Sequence, residues 1–333
     1  MTIRSVGKAA CAALLGAALL AGMQSAASAE EATAAEATVT EATVTEATVT
    51  EANAAEAARE EKEARPLTPL PVDDSPGPVA AEENYRADGL GYEDESLSVR
   101  IETMRAYDTE IMLAYVKVAD PSQIRTAMAA RYGSRKEAKP RVMAERVNSV
   151  FCVNGDFFSY RPTGYLVRQG VLYRDKVDPD YDILIIDDKG DFHILKDPTE
   201  EAVKAFEGTI VNTFNFGPAL VMDGEKVLPV KMMDSGSAKP TQRMAACQTG
   251  PLSYLFVATE GPENKGSVGL TLEQMVELCA SLGVEQAYNL DGGSSSAMLL
   301  NLEKLNALST RKIRPICDIL YFATLIPAEE EGL

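Results

Sequence analysis

A low-complexity segment near the N-terminus limits where this chain can form a folded domain. Residues 36–50 repeat the unit EATVT three times, and the proline-rich run RPLTPLPVDDSPGP follows at 65–78. Such a composition cannot bury enough apolar surface for a core, so it predicts a disordered acidic linker over residues 30–84. An array of ligand-binding repeats is the less favoured alternative. The remaining segment, residues 85–333, is 249 residues long and can bury a full core as one domain.

The first residues have the pattern of a secretory signal peptide. Arg4 and Lys8 precede an apolar run, and the small residues Ala-Ser-Ala follow at 27–29. The apolar run is too short for a comfortable membrane span, which favours a cleaved signal over residues 1–29. We therefore expect a secreted or cell-surface protein with no stable membrane insertion after cleavage.

The charge of the chain disfavours two classes of partner. The formal net charge is −18, and cleavage after Ala29 would remove Arg4 and Lys8 and change it to −20. So acidic a protein is repelled by nucleic acids and by anionic membranes. The sequence does not indicate an oligomeric state.

Four cysteines remain in the predicted mature chain, and each lies in an apolar stretch. An exported chain can form disulfides, whereas apolar surroundings equally suit buried free thiols, so both alternatives stay open. Their spacing is not that of a zinc site. We predict no cofactor and leave a divalent metal open. The cysteines are Cys152, Cys247, Cys279 and Cys317.

Strand-like segments outnumber helical ones in residues 85–333. TGYLVRQGVLY, DILIIDDKGDFHIL and PALVMDGEKVLPV each resemble two short strands joined by a turn that contains glycine. TLEQMVELCASLG is the clearest helix, with Thr271 as N-cap and Gly283 as terminator. PSQIRTAMAARY and PRVMAERVNS also have helical spacing. The pattern predicts an α/β (mixed α+β) fold, a large, mostly antiparallel mixed sheet with packed helices in a single catalytic domain.

Histidine-dependent catalysis is disfavoured because the chain has one histidine, His193, in a predicted hairpin strand. The chain also has no GxSxG elbow, Walker-type loop or CxxC pair. If the protein is an enzyme, carboxylates, amides and arginines must carry its chemistry.

Two stretches could supply such groups. One strand ends in Asn154-Gly155-Asp156 and is followed by two phenylalanines, which suits a pocket rim with rings for a sugar face, although the spacing alone slightly favours an ordinary turn of the Asn-Gly type. Arg243 stands just before an apolar strand. Its guanidinium suits two-pronged phosphate binding, although a structural salt bridge is the more common role.

The stretch AYNLDGGSSSAML, residues 287–299, gives a stronger indication of a site. Asp223-Gly224 shows an ordinary turn in this chain, because charged residues follow it directly. Asp291 instead leads into Gly-Gly-Ser-Ser-Ser and then more apolar residues. Glycines allow a ligand to approach the backbone, and successive N–H groups with serine hydroxyls suit an anion. These features favour a site with Asp291 beside the reacting carbon.

Five segments in order resemble the phosphodiester glycosidase family. They are VNGDFF, GYLVRQGVLYRD, FNFGPALVMDGE, GLTLEQMVELCASLGVEQAYNLDGGSSSAM and RPICDILYF, within residues 95–325. The resemblance implies a single mixed α/β catalytic domain. It also implies one pocket with Asp291 and Asp156 as catalytic residues. The substrate-binding residues that we expect are Asn154, Gly155, Arg168, Arg243, Gly292, Gly293, Ser294 and Ser295.

The chain departs from the family pattern at several positions. Ser294 replaces the usual third glycine, and Thr241-Gln242-Arg243-Met244-Ala245 replaces an Asn-Pro-Arg-Thr-Ala type segment. Gly261-Pro262 stands in place of Gly-Arg, and Ser253 in place of a histidine.

The resemblance implies hydrolysis of the glycosidic bond of a sugar 1-phosphodiester, of the N-acetylglucosamine 1-phosphate type, in a glycan or cell-wall polymer. Two alternatives stay open. The protein could be a non-catalytic carbohydrate-binding or cell-wall-binding protein, or an ordinary glycosidase that uses Asp156 and Asp291 as a carboxylate pair.

Overall fold

A computed structural model of the protein describes residues 67–231, 238–262, 264, 266–306 and 314–329. The predicted signal peptide (1–29) and residues 30–66 of the predicted linker lie outside the described residues. In the ranges just given, we find no helix with the length and apolar character that crossing a membrane requires.

Strands dominate this part of the chain, which contains eighteen of them in the described ranges. They are β1 (Gly91–Glu93), β2 (Leu97–Ala106), β3 (Thr109–Val118), β4 (Ile124–Met128), β5 (Phe151–Asn154), β6 (Leu166–Arg168), β7 (Val171–Arg174), β8 (Ile183–Asp187), β9 (Phe192–Leu195), β10 (Ile210–Phe214), β11 (Ala219–Met222), β12 (Glu225–Lys226), β13 (Met244–Gly250), β14 (Ser253–Thr259), β15 (Gln286–Leu290), β16 (Met298–Leu300), β17 (Glu303–Lys304) and β18 (Asp318–Phe322).

The helices are few and short. Those described are α1 (Pro140–Arg146), α2 (Glu200–Lys204) and α3 (Leu272–Ser281). Single 3-10 turns occur at Glu82–Asn84, Pro121–Gln123, Phe158–Tyr160 and Gly293–Ser295.

The strands form two main sheets and two small ones. The order of the larger main sheet is β1-β2-β3-β14-β13-β15-β11-β12, and the order of the other is β17-β16-β5-β18-β4. The small sheets are β10-β8-β9 and the hairpin β6-β7. Each strand pair that we observe is antiparallel. The predicted antiparallel, mixed character is confirmed, although the fold is dominated by strands that are divided over several sheets.

The core lies between the larger sheet and the other sheets. Ala246 on β13 and Phe256 on β14 pack inward against Phe151 on β5 and Leu184 on β8. The next residue along β13, Cys247, faces the opposite side and packs with α3. This alternation follows from the two-residue period of a strand, and it buries both faces of the central strands. Helix α1 covers the outer face of the five-stranded sheet.

Local sequence signals predicted several elements correctly. Thr271 Oγ1 accepts a hydrogen bond from the N–H of Gln274, and the side chain of Gln274 accepts one from the N–H of Thr271, so the predicted capping box is present at α3. The predicted hairpin in GYLVRQGVLY is β6-β7, whose turn has positive φ at Gln169 and Gly170. Consecutive positive φ values give the twist that a two-residue hairpin needs.

One helix prediction is wrong. Within PSQIRTAMAARY, residues Pro121–Gln123 form a 3-10 turn and Ile124–Met128 form strand β4, which pairs with β18. The segment is buried on both faces: Ile124 packs in the core, and the Arg125 guanidinium on the other face donates to backbone carbonyls. Burial on both faces removes the two-residue alternation that would have identified a strand.

The described chain includes residues 67–84, which the sequence assigns to the linker. Fully buried Arg125 donates hydrogen bonds to the carbonyls of Pro71 (2.8 Å), Asp73 (2.8 Å) and Ser75 (3.1 Å). The side chain of Leu70 packs against the cluster that contains α1. This stretch therefore contributes contacts to the domain on the N-terminal side of the predicted boundary at Tyr85.

All four cysteines of the predicted mature chain are buried free thiols in the described residues. Burial raises the pKa of the Cys152 thiol to about 12, as expected for a thiol among apolar side chains. The sequence left open whether these cysteines form disulfides or remain free thiols, and in the structure they are free.

Candidate active site

The ends of strands from both main sheets meet at Asn154, the last residue of β5. Its Nδ2 donates to the carbonyl of Asp291 at 2.7 Å, and its Oδ1 accepts from the N–H of Ala297 at 3.0 Å. Asp291 directly follows β15, and Ala297 directly precedes β16. One buried amide therefore fixes both ends of the loop from Asp291 to Ala297.

The loop is compact because glycines allow two backbones to approach. A Cβ at Gly292 would lie 2.6 Å from the carbonyl oxygen of Gln242, and the N–H of Gly293 donates to that oxygen at 2.9 Å. Gly293 also has positive φ, which favours glycine. The N–H groups of Ser295 and Ser296 donate to carbonyls within the turn. These hydrogen bonds use several of the backbone N–H groups that the sequence predicted would bind an anion. Side chains must therefore provide most of the anion contacts.

Asp291 is recessed at the start of this loop and stays partly accessible to solvent. Burial raises the pKa of its carboxyl to about 6, against the opposing effects of the Ser295 hydrogen bond, the Arg314 charge, the Gly292 N–H and the Arg161 charge. A carboxyl group that titrates near neutrality, in a recess with cationic neighbours, has the electrostatics of a catalytic group.

Arg161 and Arg314 are the two site residues that sequence reasoning missed. Both charges act on Asp291, and both guanidiniums lie near the Phe157 ring, at 6.0 and 5.9 Å from its centroid. Arg161 also stacks 3.7 Å above the ring of Tyr181 and donates to the carbonyl of Asn215. The available signal was an Arg-Pro pair, which occurs between the resembling segments VNGDFF and GYLVRQGVLYRD and again at the start of RPICDILYF.

Neither arginine has a carboxylate within 4 Å among the residues that the structure describes. Both are half-buried. Two cations with no salt-bridge partner beside a recessed carboxyl can bind an anionic group next to the reacting atom.

Asp156 and Arg168 lie deeper in the protein, in a group of buried charges. Arg168 Nη2 lies 2.6 Å from Asp318 Oδ2 and 3.3 Å from Asp156 Oδ1. Asp156 also accepts from the N–H groups of Phe158 (3.0 Å) and Asn215 (2.9 Å). The Asp156 carboxylate thus binds the main chain at Phe158 and at Asn215, which directly follows β10. Its predicted catalytic role stays a prediction.

Gly155 has a steric role in the same group of charges. A Cβ at Gly155 would lie 2.3 Å from Asp318 Oδ1. The absence of a side chain at this position therefore allows Asp318 to reach Arg168.

The Arg243 side chain interacts with main-chain carbonyls. Its Nε donates to Leu270 at 3.1 Å and its Nη2 to Lys239 at 3.0 Å, while its backbone N–H donates to Thr259 Oγ1 at 2.8 Å. The backbone of Arg243 is close to the Asp291 loop, because a Cβ added at Gly292 would lie 3.6 Å from the Arg243 Cα. Phosphate binding by Arg243 stays a prediction.

The remaining expectations concern metals and His193. In the described parts of the chain, no three His, Cys, Asp or Glu side chains form a group that could hold a metal ion. His193 lies on β9, where its Nε2 is 3.0 Å from Asp187 Oδ2.

Comparisons with known proteins agree with this architecture. A family profile described as phosphodiester glycosidase matches residues 148–323, more than half of the chain. The zebrafish N-acetylglucosamine-1-phosphodiester alpha-N-acetylglucosaminidase catalytic domain, auto-inhibited by its pro-peptide, has 17% identity and a TM-score of 0.57. That match covers 76% of this chain and 97% of the zebrafish chain.

A hypothetical protein from Synechocystis has 14% identity and a TM-score of 0.54, covering 68% of this chain and 62% of its own. At these identities the two structures indicate a shared fold. A comparison with curated proteins gives no match.

Proposed function

Because the chain belongs to the phosphodiester glycosidase family, we propose that it hydrolyses the glycosidic bond of a sugar 1-phosphodiester. In this reaction the bond between the anomeric carbon and the phosphate oxygen breaks, and its electron pair leaves with the phosphate monoester. A water oxygen bonds to the anomeric carbon. One proton of that water stays on the sugar hydroxyl and the other is released or taken up by the phosphate monoester.

The leaving group explains why few acid–base residues are needed. A phosphate monoester has its last pKa near 6, so it can depart at neutral pH with little protonation. An ordinary glycoside needs a strong general acid at this point. The site must instead bind the phosphate and stabilise positive charge at the anomeric carbon.

The observation that carries the proposal is that Arg161 and Arg314 converge about the Phe157 ring, at 6.0 and 5.9 Å from its centroid, and that both charges act on recessed Asp291. The two guanidiniums bind the scissile phosphate, and ionised Asp291 stabilises the oxocarbenium-like centre or directs its attacker. Asn154 and Ser295 orient Asp291. Asp156, Arg168 and the glycines support the shape of the site.

We further propose that the protein acts outside the cytoplasm on a phosphate-containing glycan. The signal-like residues 1–29 and the acidic charge of the chain support this location.

A substrate comparison tests the proposal. The purified protein is given methyl N-acetylglucosamine 1-phosphodiester and, separately, an uncharged aryl N-acetylglucosaminide. We expect release of the free sugar from the diester with a much larger kcat/KM. Cleavage of the aryl glycoside alone would show an ordinary glycosidase, and binding without cleavage of either compound would show a non-catalytic carbohydrate-binding protein.

A further inference from the structure

A second cleft adjoins the Asp291 site through Arg161. It has a volume of about 480 Å³, within the range of small-ligand sites. Three segments line it: residues 132–135, which follow β4, residues 158, 159, 161 and 162, and residues 173–176 at the end of β7. Arg161 lines this cleft and also acts on the charge of Asp291, so a ligand that reaches past Arg161 can occupy both.

The cleft concentrates positive charge in a strongly acidic protein. Four cations line it, with Asp175 as the opposing carboxylate. None of the four has a carboxylate within 4 Å in the described ranges. In a chain of net charge −18, cations without salt-bridge partners in one concave surface create a local positive potential. The four are Arg135, Arg161, Arg174 and Lys176.

Two polar groups in the wall have unused hydrogen-bonding capacity. Ser159 Oγ and Arg174 Nη2 are buried and make no hydrogen bond of normal geometry with any described residue, although Cys317 lies close to Ser159 and Tyr132 lies close to Arg174. The other nitrogens of Arg174 donate to the carbonyls of Gly164 (2.8 Å) and Arg161 (2.6 Å). Burial lowers the pKa of the Arg174 guanidinium, which shows that its charge is partly desolvated, and a nearby anion would stabilise that charge. Buried donors without partners are rare, and a bound ion or water is the usual explanation.

Aromatic side chains make the cleft suitable for a sugar as well as an anion. The rings of Tyr132 and Tyr173 lie 5.2 Å apart, and Phe158 lines the same space. Pockets for small ligands are lined mainly by apolar and aromatic side chains with a few placed polar groups, and this cleft has such a lining.

We propose that this cleft binds a second phosphate, on the leaving-group side of the scissile bond, so that the preferred substrate carries a further phosphate beyond the scissile diester. The inference rests on the proposed function. One diester carries a single negative charge, for which Arg161 and Arg314 suffice. The three further cations of the cleft exceed that need and match an additional phosphate.

Binding measurements on an inactive protein test the proposal without relying on turnover. In the Asp291→Asn background, calorimetry compares methyl N-acetylglucosamine 1-phosphodiester with the same sugar phosphate esterified to glycerol 3-phosphate, which carries a second phosphate. We expect the two-phosphate probe to bind about tenfold more tightly, since hydrogen bonds to charged groups contribute about 1.5 kcal/mol or more.

Matched double variants assign that advantage to the cleft. Arg135→Gln with Lys176→Gln removes two exposed cleft cations and should abolish the tenfold preference. Lys189→Gln with Lys196→Gln removes the same charge from exposed positions outside the lining and should keep it. Equal affinities for both probes, no measurable binding, or equal losses in both double variants would overturn the proposal.

The proposed function can fail separately from this inference. A protein that prefers the two-phosphate probe but releases sugar from neither probe in its native form would contradict the hydrolase proposal alone. Wild-type cleavage of both probes with equal affinity would contradict the cleft proposal alone.

Discussion

Asn154 donates a 2.7 Å hydrogen bond from its side-chain nitrogen to the main-chain carbonyl of Asp291. Asn154 ends β5 and Asp291 directly follows β15, and these two strands belong to different sheets. The same side chain accepts from the N–H of Ala297. The position of the candidate catalytic carboxyl is therefore set by an amide that is 1% exposed.

Asn154→Ala should lower both stability and turnover. It leaves the Asp291 carbonyl and the Ala297 N–H without their partner, and each unsatisfied buried group costs about 1–3 kcal/mol. Denaturant unfolding measures the first effect and kcat the second. A loss of stability with unchanged kcat in the folded fraction would show that Asn154 does not position Asp291.

Asp291→Asn should reduce turnover by roughly two to three decades, because the amide keeps the shape but loses the charge that stabilises the transition state. Asp223→Asn is the matched control, since Asp223-Gly224 forms the ordinary β11-β12 turn with positive φ at both residues. We expect the control to retain activity within a few-fold. Similar kcat values for the two variants would remove Asp291 from the mechanism.

The pH dependence follows from the raised pKa of Asp291, about 6 in the folded protein. If the ionised form is active, kcat/KM should rise with pH and level off above about 6. A profile that falls through pH 6 would instead assign Asp291 as a general acid.

The same pKa shift affects stability. Between about pH 4 and 6 the folded state holds a proton that the unfolded chain has released, so this group's contribution to stability falls as pH rises through that window. Asp291→Asn lacks this dependence. Its stability relative to the native protein should therefore increase from pH 4 to 6 and then stay constant, as measured by unfolding at a series of pH values. A constant difference across the series would contradict the raised pKa.

Arg314→Gln should weaken cleavage of a diester by about tenfold or more while affecting an aryl glycoside less, since a hydrogen bond to a charged group contributes about 1.5–3 kcal/mol. The positive charge of Arg314 lowers the pKa of Asp291, so its removal should also shift the rising limb of the pH profile to higher pH. Equal losses on both substrates with an unmoved pH profile would contradict phosphate binding by Arg314.

Arg243→Lys separates phosphate binding from structural support. Arg243 donates to the carbonyls of Leu270 and Lys239, which a lysine cannot reproduce together. Because of those contacts we expect mainly a loss of stability, whereas a selective loss on the diester would assign it to the phosphate.

Truncation tests where the domain begins. A chain that starts at residue 67 should fold with the stability of the longer protein. A start at Tyr85 removes three carbonyls that accept from buried Arg125, as well as the packed Leu70 side chain, and should cost about 2 kcal/mol or more. Equal midpoints of thermal unfolding for the two starts would show that residues 67–84 are dispensable.

Features that depend on neighbouring residues were predictable from sequence. The capping box of α3 needs Thr271 and Gln274 three positions apart, and the β6-β7 turn needs Gln169 and Gly170 in succession. Strand β4 was missed because its burial on both faces comes from partners far along the chain, among them Pro71 and Tyr321.

The candidate site was predictable only in part for the same reason. Asp291 and Asn154 stand in segments whose composition marks a loop at a strand end. The contact between Arg168 and Asp318 joins residues 150 positions apart, and the convergence of Arg161 and Arg314 on Asp291 joins three separate segments. No local pattern encodes such distances.

The close approach of Gly155 to Asp318 links these two positions in evolution. Any side chain at 155 would occupy the space of the Asp318 carboxylate, whose loss would leave Arg168 with a buried charge and a weaker partner in Asp156. A substitution at either position alone should therefore lower the stability of the folded protein. Among descendants of this sequence, substitutions at 155 and 318 should appear as a pair, and a mutagenesis library that varies one of them should vary both.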